Sequence, residues 1–277
     1  MSVRMGVNGA AGRMGRMVID LIMKDPEAEL GAAIDAASCP ALGKDAAELA
    51  AGVGPIGVKV TDDLDSAVTA AQVVIDFSTP QGTRQLLATC TRKAVSCVVG
   101  TTALGESDLL AVNELARTAP VVVAPNFSVG VNALWYLAAK AVELLGPEFD
   151  IEIVEMHHRN KEDAPSGTAL RLLQAVAKAR GIDPEKTAVY GRSGRPGART
   201  AGEIGVLALR GGDVVGEHSL VLAGPGERVE LSHRAHGREV FARGAVRAAH
   251  WAVKQDAGLY DMADVLGLPL PASSGLP

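Results

Sequence analysis

The sequence predicts an α/β protein with two domains, one built on a parallel sheet and one of α+β type with a mixed or antiparallel sheet. Three observations support this prediction. A short apolar run at residues 5–8 leads into a glycine-rich turn and then a helical pattern. Strand-length apolar runs then alternate with helical stretches as far as residue 128, as in a parallel sheet with crossover helices. Strand-like runs separated by glycines follow between residues 202 and 233, which favours antiparallel pairing.

The first turn has glycine at positions 9, 12 and 15, and apolar residues then recur at helical spacing. This G-x-x-G-x-x-G pattern differs from the commoner G-x-G-x-x-G, and alone it is a weak signal. The next predicted strand, residues 29–34, ends at Asp35, about 20 residues past the turn, where a dinucleotide-binding fold keeps the carboxylate that binds the adenosine ribose. An ordinary surface aspartate is the alternative. Together these features favour a Rossmann-type domain that binds NADH or NADPH.

The rest of the first domain alternates between strands and helices. The predicted strands are residues 58–60, 73–77, 95–99 and 121–123, and the predicted helices are residues 62–71, with its own Asp as cap, 81–93 and 107–118. Three of these strands end in small or polar residues: Phe77-Ser78-Thr79-Pro80, Gly100-Thr101-Thr102 and Ala124-Pro125-Asn126-Phe127-Ser128. Ligands bind beyond the carboxyl ends of such strands, so these loops are expected to line a nicotinamide pocket. The alternative is that these loops are only turns, and this alternative is weakest for Gly100-Thr101-Thr102.

The second domain is predicted to begin with a helix at residues 131–145 and a strand at residues 150–155. Strands near residues 202–209, 213–222 and 228–233 are expected to form an antiparallel meander, and a helix at residues 238–254 returns to the first domain. The predicted boundaries are residues 1–128 with 239–277 for the dinucleotide-binding domain, and 129–238 for a substrate-binding and oligomerisation domain. The tail from Leu268, rich in Pro and Ser, is expected to be loosely ordered.

Residues 155–169, Glu-Met-His-His-Arg-Asn-Lys-Glu-Asp-Ala-Pro-Ser-Gly-Thr-Ala, concentrate the side chains suited to chemistry. His157 and His158 are adjacent, and Lys161 follows closely. Ser166 is a predicted N-cap for a helix at residues 169–180 that stops at Gly181, so the N–H groups of Gly167 and Thr168 are expected to face a carboxylate. Such a site suits an anionic substrate that needs a proton.

This segment has two other interpretations. A single histidine is more often a satisfied or solvated side chain than a catalyst, although the combination here raises the odds of function. A metal site lacks ligands, because the other histidines are scattered and Cys39, Cys90 and Cys97 show no Cys/His spacing. We therefore predict no metal.

Composition narrows the functional classes. Of 277 residues, 48% are hydrophobic, which indicates a globular protein, and a net charge of −5 without a Lys/Arg run disfavours nucleic acid as a partner. Apolar runs are interrupted well before the ~20 residues that a membrane span needs. The amino terminus begins a strand rather than a secretion signal, and three unpaired cysteines suit a reducing compartment. We expect a cytoplasmic enzyme that acts on a small molecule.

Several motifs together resemble one family. They are the Gly-Arg-Met-Gly turn, Gly100-Thr101-Thr102, residues 126–132, residues 155–169, Gly216-Glu217-His218 and Gly244-Ala245-Val246-Arg247. With them the sequence resembles the 4-hydroxy-tetrahydrodipicolinate reductases, historically called dihydrodipicolinate reductases, over nearly its full length. Residues 155–169 are the most specific part of this resemblance.

The resemblance implies NADH- or NADPH-dependent reduction of (2S,4S)-4-hydroxy-2,3,4,5-tetrahydrodipicolinate, with loss of water, in diaminopimelate and lysine biosynthesis. It also implies that His157 is the proton donor, that Lys161 is a second catalytic donor, and that His158, Gly167 and Thr168 hold the substrate carboxylates. A homotetramer joined through the second-domain sheet is expected as well. The residues implied in cofactor binding are Gly9, Ala10, Ala11, Gly12, Arg13, Met14, Asp35, Gly100, Thr101, Thr102, Ala124, Pro125, Asn126 and Phe127.

One departure from the family concerns the choice of cofactor. In some relatives an arginine follows the ribose-binding acid, but here Ala36 follows Asp35. We therefore expect use of both cofactors with a modest preference for NADH, Arg13 being the group that could contact the extra phosphate of NADPH. Two alternatives stay open at this point: an aspartate dehydrogenase-like enzyme, disfavoured by residues 155–169, and a non-catalytic dinucleotide sensor, disfavoured by the presence of both His157 and Lys161.

Overall fold

A computed structural model describes residues 2–50 and 54–269. In chain order its principal helices and strands are β1 (Val3–Asn8), α1 (Arg13–Lys24), β2 (Ala28–Ile34), β3 (Val60–Thr61), α2 (Leu64–Thr69), β4 (Val73–Asp76), α3 (Pro80–Lys93), β5 (Ser96–Val99), α4 (Glu106–Leu115), β6 (Pro120–Val123), α5 (Val129–Leu145), β7 (Asp150–His157), α6 (Gly167–Arg180), α7 (Pro184–Thr187), β8 (Ala188–Val189), β9 (Ile204–Arg210), β10 (Glu217–Gly224), β11 (Glu227–Arg234), α8 (Glu239–Ala252), β12 (Gly258–Tyr260) and α9 (Met262–Leu266).

The chain divides into two compact units, the first made of Met1–Ser128 with Glu239–Pro269 and the second of Val129–Arg238. The first unit contains a seven-stranded sheet in the order β12-β6-β5-β4-β1-β2-β3, in which every pairing is parallel. The parallel α/β architecture predicted from the alternating pattern is therefore confirmed. The seventh strand, β12, was not predicted, because it is only three residues long and its sequence, Gly-Leu-Tyr, has no apolar run.

Packing explains why these apolar runs become strands. All four residues of β4 and of β5 are buried, as expected when helices cover both faces of a parallel sheet. The core is filled by aliphatic side chains of β1, β4 and α1 together with the alanine-rich face of α8. The small side chains of α8 let it approach the sheet and α1 closely. One prediction needs a small correction: the cap of α2 is Asp63 rather than Asp62, because the Asp63 carboxylate accepts from the N–H of Ser66.

The second unit contains a five-stranded mixed sheet in the order β11-β10-β7-β9-β8, with α5 and α6 packed on its buried face. The predicted antiparallel meander is wrong for its first step. Strand β9 pairs with β7 in parallel and β10 pairs with β7 antiparallel, so β7 lies between them. The connection contains Gly211 and Gly212, and it is tied to the end of β7 by a bond from Gly211 N to His157 O. Its glycines signal a turn, but they do not specify which strand comes next in the sheet.

Helix α6 has both predicted caps and ends at Arg180 as predicted, but it begins at Gly167, two residues before the predicted start. The Ser166 hydroxyl accepts from the N–H of Ala169 at the N-cap, and Gly181 adopts a left-handed conformation at the C-cap. The predicted loose tail lies mostly outside the described residues, which end at residue 269. No helix in the described ranges has the length and apolar character needed to cross a membrane.

Candidate functional site

The glycine turn of the first unit requires glycine at two positions for steric reasons. Gly9 has φ +78°, and a Cβ there would lie 2.4 Å from the carbonyl oxygen of Phe77. A Cβ on Gly15 would lie 2.1 Å from the carbonyl oxygen of Gly9. Both distances are far inside van der Waals contact. The close approach of β1, the turn and α1 therefore depends on the absence of these side chains.

The N–H groups of this turn fall into two sets. Those of Gly9 and Ala10 donate to Ile34 O, and that of Ala11 donates to Asp35 Oδ2 at 2.8 Å. Those of Arg13 and Met14, in the first turn of α1, have no hydrogen-bond partner in the described part of the chain, and the N-cap residue, Gly12, has no capping side chain. The positive end of a 12-residue helix and these two unbonded N–H groups make a suitable site for a pyrophosphate.

Asp35 lies at the end of β2, as expected, and also holds the turn. Its Oδ2 accepts from Ala11 N and its Oδ1 accepts from Ala36 N, while the residue stays partly exposed. Each carboxylate oxygen keeps a further lone pair that can accept a ribose hydroxyl. Arg13 is exposed at the start of α1. These placements fit an adenosine ribose and a pyrophosphate on this face of the unit.

A buried carboxylate that sequence analysis did not single out lies beneath the neighbouring loops. Asp76, at the end of β4, is 0% exposed. Its Oδ1 accepts from Asn8 Nδ2 at 2.8 Å and from Ser78 Oγ at 2.6 Å. Its Oδ2 accepts from Thr83 Oγ1 at 2.5 Å and from Thr101 Oγ1 at 2.8 Å. The donors come from β1, α3 and the loops after β4 and β5, so Asp76 joins the strand ends around the predicted nicotinamide pocket.

The remaining predicted cofactor residues lie on those loops. Thr101 also accepts from Ser78 N, and a Cβ on Gly100 would lie 2.2 Å from the Phe77 ring. Thr102 is exposed. After β6, Ala124 is buried, Pro125 is exposed, and Asn126 Oδ1 accepts from Ser128 N. Phe127 is buried and meets Phe77 edge to face, with ring centroids 6.0 Å apart. The residues predicted for this pocket therefore occupy adjacent strand ends of one sheet edge.

In the second unit, strand order brings the chemically important side chains together. Glu155 and His157 are buried residues of the central strand β7. The register places Arg210 of β9 opposite His157 on one side and His218 of β10 opposite Glu155 on the other. These four residues form what we call the Glu155 cluster.

Glu155 connects most of this cluster. Its side chain is 0% exposed, and its Oε2 lies 2.6 Å from His157 Nδ1. Arg210 binds both carboxylate oxygens, Nη1 to Oε2 and Nη2 to Oε1, each at 2.9 Å. Oε1 also accepts from Ser166 N at 3.0 Å. Burial alone raises the pKa of Glu155, but the hydrogen bonds from His157, Arg210 and Ser166 N outweigh it and lower the pKa to about 2. The carboxylate is therefore ionised at neutral pH.

An ionised Glu155 fixes the proton on Nδ1 of His157, because a carboxylate can only accept. The other ring nitrogen, Nε2, has no hydrogen-bond partner within the described residues, and a Cβ on Gly216 would lie 3.0 Å from it. Gly216 thus leaves space beside the nitrogen that can donate a proton.

His218 supports His157 from the other side. The two rings meet edge to face with centroids 5.2 Å apart, and His218 Nε2 lies 3.0 Å from Ser166 Oγ. Burial, followed by the charge of His157, lowers the pKa of His218 to about 4. His218 is therefore neutral near pH 7, and it packs against His157 without adding charge.

The other predicted residues lie around this cluster. Lys161 Nζ contacts Asp163 Oδ1 at 2.8 Å, and this contact lowers the pKa of Asp163. His158 is half-buried next to His157. Gly167 and Thr168 form the first turn of α6, and Trp135 Nε1 donates to Thr168 O. The structure therefore brings His157, Lys161 and the start of α6 into one region of the second unit.

The sequence does not predict Arg210, the contact of His218 with His157, or the linking position of Glu155. His218 was noted only as part of Gly216-Glu217-His218 and otherwise as one of several scattered histidines. The sequence contains one weak signal for Arg210, because this residue immediately precedes the Gly211-Gly212 turn at the end of a predicted strand. Only the position of β7 between β9 and β10 shows why these residues matter.

Comparisons with known proteins agree with this arrangement. The family model described as "Dihydrodipicolinate reductase, N-terminus" matches residues 3–127, and the one described as "Dihydrodipicolinate reductase, C-terminus" matches residues 130–266. The 4-hydroxy-tetrahydrodipicolinate reductase of Alkalilimnicola ehrlichii is 50% identical over 268 residues, covering 97% of this chain and 100% of that protein. That of Syntrophotalea carbinolica is 49% identical over 266 residues, covering 96% of this chain and 99% of that protein.

Solved structures give the same result. A dipicolinate-bound dihydrodipicolinate reductase from Paenisporosarcina sp. TG-14 has a TM-score of 0.75 and 25% identity, covering 95% of this chain and 99% of that one. An amine dehydrogenase from Mycobacterium smegmatis, with a TM-score of 0.59, 13% identity and 94% coverage of both chains, shares the fold alone. With both of its halves matched by the family models and half of its residues identical to those of full-length relatives, this chain belongs to the dihydrodipicolinate reductase family.

Proposed function

We propose that this protein reduces (2S,4S)-4-hydroxy-2,3,4,5-tetrahydrodipicolinate to tetrahydrodipicolinate, with loss of water, using NADH or NADPH in diaminopimelate and lysine biosynthesis. The observation that carries the proposal is the Glu155–His157 pair, 2.6 Å apart and one loop away from the exposed start of α6. It combines a proton donor with a site for carboxylates, as this substrate requires. Family membership and the glycine turn of the first unit support a nicotinamide cofactor.

The residues of the first unit divide the work of binding the cofactor. In this proposal the N–H groups of Arg13 and Met14 bind the pyrophosphate and Asp35 binds the adenosine ribose. The loops Gly100-Thr101-Thr102 and Ala124-Pro125-Asn126-Phe127 hold the nicotinamide end, and Asp76 fixes the first of these loops by accepting from Thr101 Oγ1. When bound, the cofactor supplies the hydride.

In the second unit His157 delivers the proton. Glu155 holds Nδ1–H and stabilises the positively charged imidazolium, so Nε2–H is the group that can be given to the substrate. Lys161 supplies a second donor and a positive charge, and Asp163 holds its ammonium group. A proton delivered here neutralises the charge that develops as the substrate is reduced.

The substrate is a dianion, and the proposal gives each carboxylate a binding group. The first-turn N–H groups of α6 at Gly167 and Thr168 take one carboxylate, helped by the helix dipole. His158 and Lys161 help to bind the second carboxylate. Lys161→Ala should therefore both raise KM and lower kcat, because contacts of this charge-assisted kind contribute about 1.5–3 kcal/mol each.

A direct assay tests this function. The substrate is made in place by a dihydrodipicolinate synthase, and NADH or NADPH oxidation is followed with and without it. Oxidation should depend on this substrate, and pyridine-2,6-dicarboxylate, a flat mimic with both carboxylates, should compete. Turnover with aspartate or a simple 2-oxo acid, and none with the cyclic substrate, would exclude the proposal in favour of an aspartate dehydrogenase-like enzyme.

We further propose that the second unit mediates assembly into a homotetramer in the cytoplasm. The sheet face opposite α5 and α6 carries apolar residues in register on adjacent strands, including Val154, Met156, Leu207 and Leu209, and Leu209 is 50% exposed. An exposed apolar sheet face favours association. Sedimentation should give four chains per particle, and a stable monomer at micromolar concentration would exclude the tetramer.

A further inference from the structure

The Glu155 carboxylate contacts three different parts of the second unit at once. It binds His157 Nδ1 on its own strand, both Nη atoms of Arg210 on β9, and Ser166 N at the start of α6. His157 is the proposed proton donor, and α6 begins with the proposed carboxylate-binding turn. A single buried side chain therefore links the two functions assigned to this unit.

The contact between Glu155 and His157 fixes the orientation of the imidazole ring as well as its distance from the carboxylate. Because the carboxylate accepts from Nδ1–H, rotation of the imidazole by a half-turn would break a 2.6 Å contact inside a fully buried environment. Ser166 is held both by Glu155 through its N–H and by His218 through its hydroxyl. The α6 N-terminus and the imidazole are thus fixed relative to one another by two independent contacts.

Arg210 keeps the Glu155 charge in place. Its guanidinium binds both carboxylate oxygens and also donates to the carbonyl oxygen of Asp163, in the loop that carries Lys161. A buried carboxylate without such a partner would be driven toward its neutral form. A neutral Glu155 could donate its O–H to Nδ1 as well as accept from Nδ1–H, so it would no longer enforce the Nδ1–H tautomer. The arginine therefore acts on His157 through Glu155.

We propose that Glu155 is a positioning residue for the reduction: ionised by Arg210, it fixes His157 with Nε2 toward the substrate and sets the α6 N-terminus beside it. This inference rests on the proposed function, because it gives His157 the role of proton donor. Glu155 itself touches no substrate. Its contribution is to orient the donor and to favour its charged form.

The pH dependence of kcat separates this role from a merely structural one. The charged or titratable groups around His157 are Glu155 on its own strand, Arg210 on β9, His218 on β10 with His233 behind it, and His158, Lys161 and Asp163 in the following loop. Among these, Glu155 is the carboxylate in direct contact. Its replacement by an amide removes the negative charge beside Nδ1, so the upper pH limit of kcat should move downward.

The chain offers a matched control in Glu203. Like Glu155, it lies in the second unit, binds an arginine and accepts from a backbone N–H, and hydrogen bonds to Arg192 and Thr200 lower its pKa to about 2. It has no contact with His157. Glu203→Gln should leave the pH limit in place, whereas Glu155→Gln should reduce kcat roughly 10–10³-fold, with a smaller change in KM.

Two further variants cover the case in which Glu155→Gln folds poorly. Glu155→Asp keeps the charge but shortens the reach, so kcat should fall while the pH limit stays close to that of the wild type. The double change Glu155→Gln with Arg210→Met removes both charges and avoids an unpaired guanidinium. It should fold better than the single variant and still show the lowered pH limit.

The experiment measures kcat against pH for the wild type and these four variants, together with imidazole ¹⁵N resonances of the full-length protein. We expect a Nδ1–H tautomer for neutral His157 in the wild type and in Glu203→Gln, and a mixture of both tautomers in Glu155→Gln, because an amide can donate as well as accept. An unchanged pH limit and tautomer in folded Glu155→Gln, or in the double variant, would overturn the inference. A wild type that does not turn over the substrate would instead overturn the proposed function, and the tautomer measurement would still decide the positioning role.

Discussion

The two units each contain a fully buried carboxylate on the central strand of their sheet, and the two carboxylates are stabilised in opposite ways. Asp76 is surrounded by an amide and three hydroxyl groups, all neutral, from Asn8, Ser78, Thr83 and Thr101. Glu155 is held by a guanidinium, an imidazole and a backbone N–H. The comparison indicates that the first carboxylate joins loops, whereas the second controls the charge and orientation of a neighbouring proton donor.

The largest effect is expected when the proton donor itself is removed. His157→Gln should reduce kcat by ~10²–10⁴-fold, the range for loss of a general acid, with less change in binding. Thr83→Val removes one neutral hydrogen-bond donor from Asp76 and should lower kcat less than about tenfold, because the donors from Asn8, Ser78 and Thr101 remain. Steady-state kinetics on both variants make the comparison. Near-normal kcat in His157→Gln, with a large fall in His158→Gln, would exchange the roles of the two histidines.

The next effect concerns folding stability. Glu155→Gln leaves Arg210 without its carboxylate, and the loss of one partner of a buried ion pair typically costs about 3–5 kcal/mol. Asp76→Asn should cost less, about 1–3 kcal/mol, because hydroxyl groups can rotate and turn from donors into acceptors. Urea unfolding measures the loss of unfolding free energy in both variants. A larger loss in Asp76→Asn would mean that the neutral network carries more of the fold than the ion pair.

The sequence predicts local features of both units but neither of the two carboxylate networks. The glycine turn, Asp35 and the caps of α6 are local features, in which a few adjacent residues decide the backbone conformation, and all were placed correctly. Arg210 and His218 were missed because they meet His157 only through the order β10-β7-β9. That order depends on long-range pairing, and the glycines after β9 fit a hairpin equally well. Asp76 was missed because its donors come from four separate segments of the chain.

The pH dependence of stability gives a third prediction, carried by His218. Its pKa falls from 6.5 in the unfolded chain to about 4 when it is buried in the folded one, so between these values the unfolded chain binds more protons. Stability should therefore decrease as pH falls from 6.5 toward 4, by up to about 3 kcal/mol.

Glu155 extends the decrease in folding stability to lower pH. Its folded pKa of about 2 lies below the ordinary 4.5, so its contribution is present above pH 4.5 and is lost as pH falls toward 2. His218→Gln should remove the first part of the decrease and leave the second. Thermal unfolding across this range checks both, and a profile unchanged in His218→Gln would contradict the buried neutral imidazole.

The smallest effect concerns a third carboxylate, Asp35, which is partly exposed and binds the glycine turn. We expect a modest preference for NADH, because a 2′-phosphate would face this carboxylate and Arg13 offsets the repulsion only in part. Asp35→Ala should lower kcat/KM for NADH, while kcat/KM for NADPH stays equal or rises. Arg13→Ala should lower kcat/KM for NADPH more than that for NADH. A wild type that prefers NADPH tenfold, or equal losses with both cofactors in Asp35→Ala, would assign the 2′ position to another residue.

If Asp76 serves cofactor binding and Glu155 serves the substrate site, replacement of either carboxylate should change the binding of one ligand alone. Calorimetry gives the dissociation constants of NADH and of pyridine-2,6-dicarboxylate, each with the other ligand at saturation, for the wild type, Asp76→Asn and Glu155→Gln. We predict that Asp76→Asn weakens NADH binding and Glu155→Gln weakens dicarboxylate binding, each by about 3–10-fold, with the other ligand unaffected. Equal weakening of both ligands in either variant would contradict the division of roles.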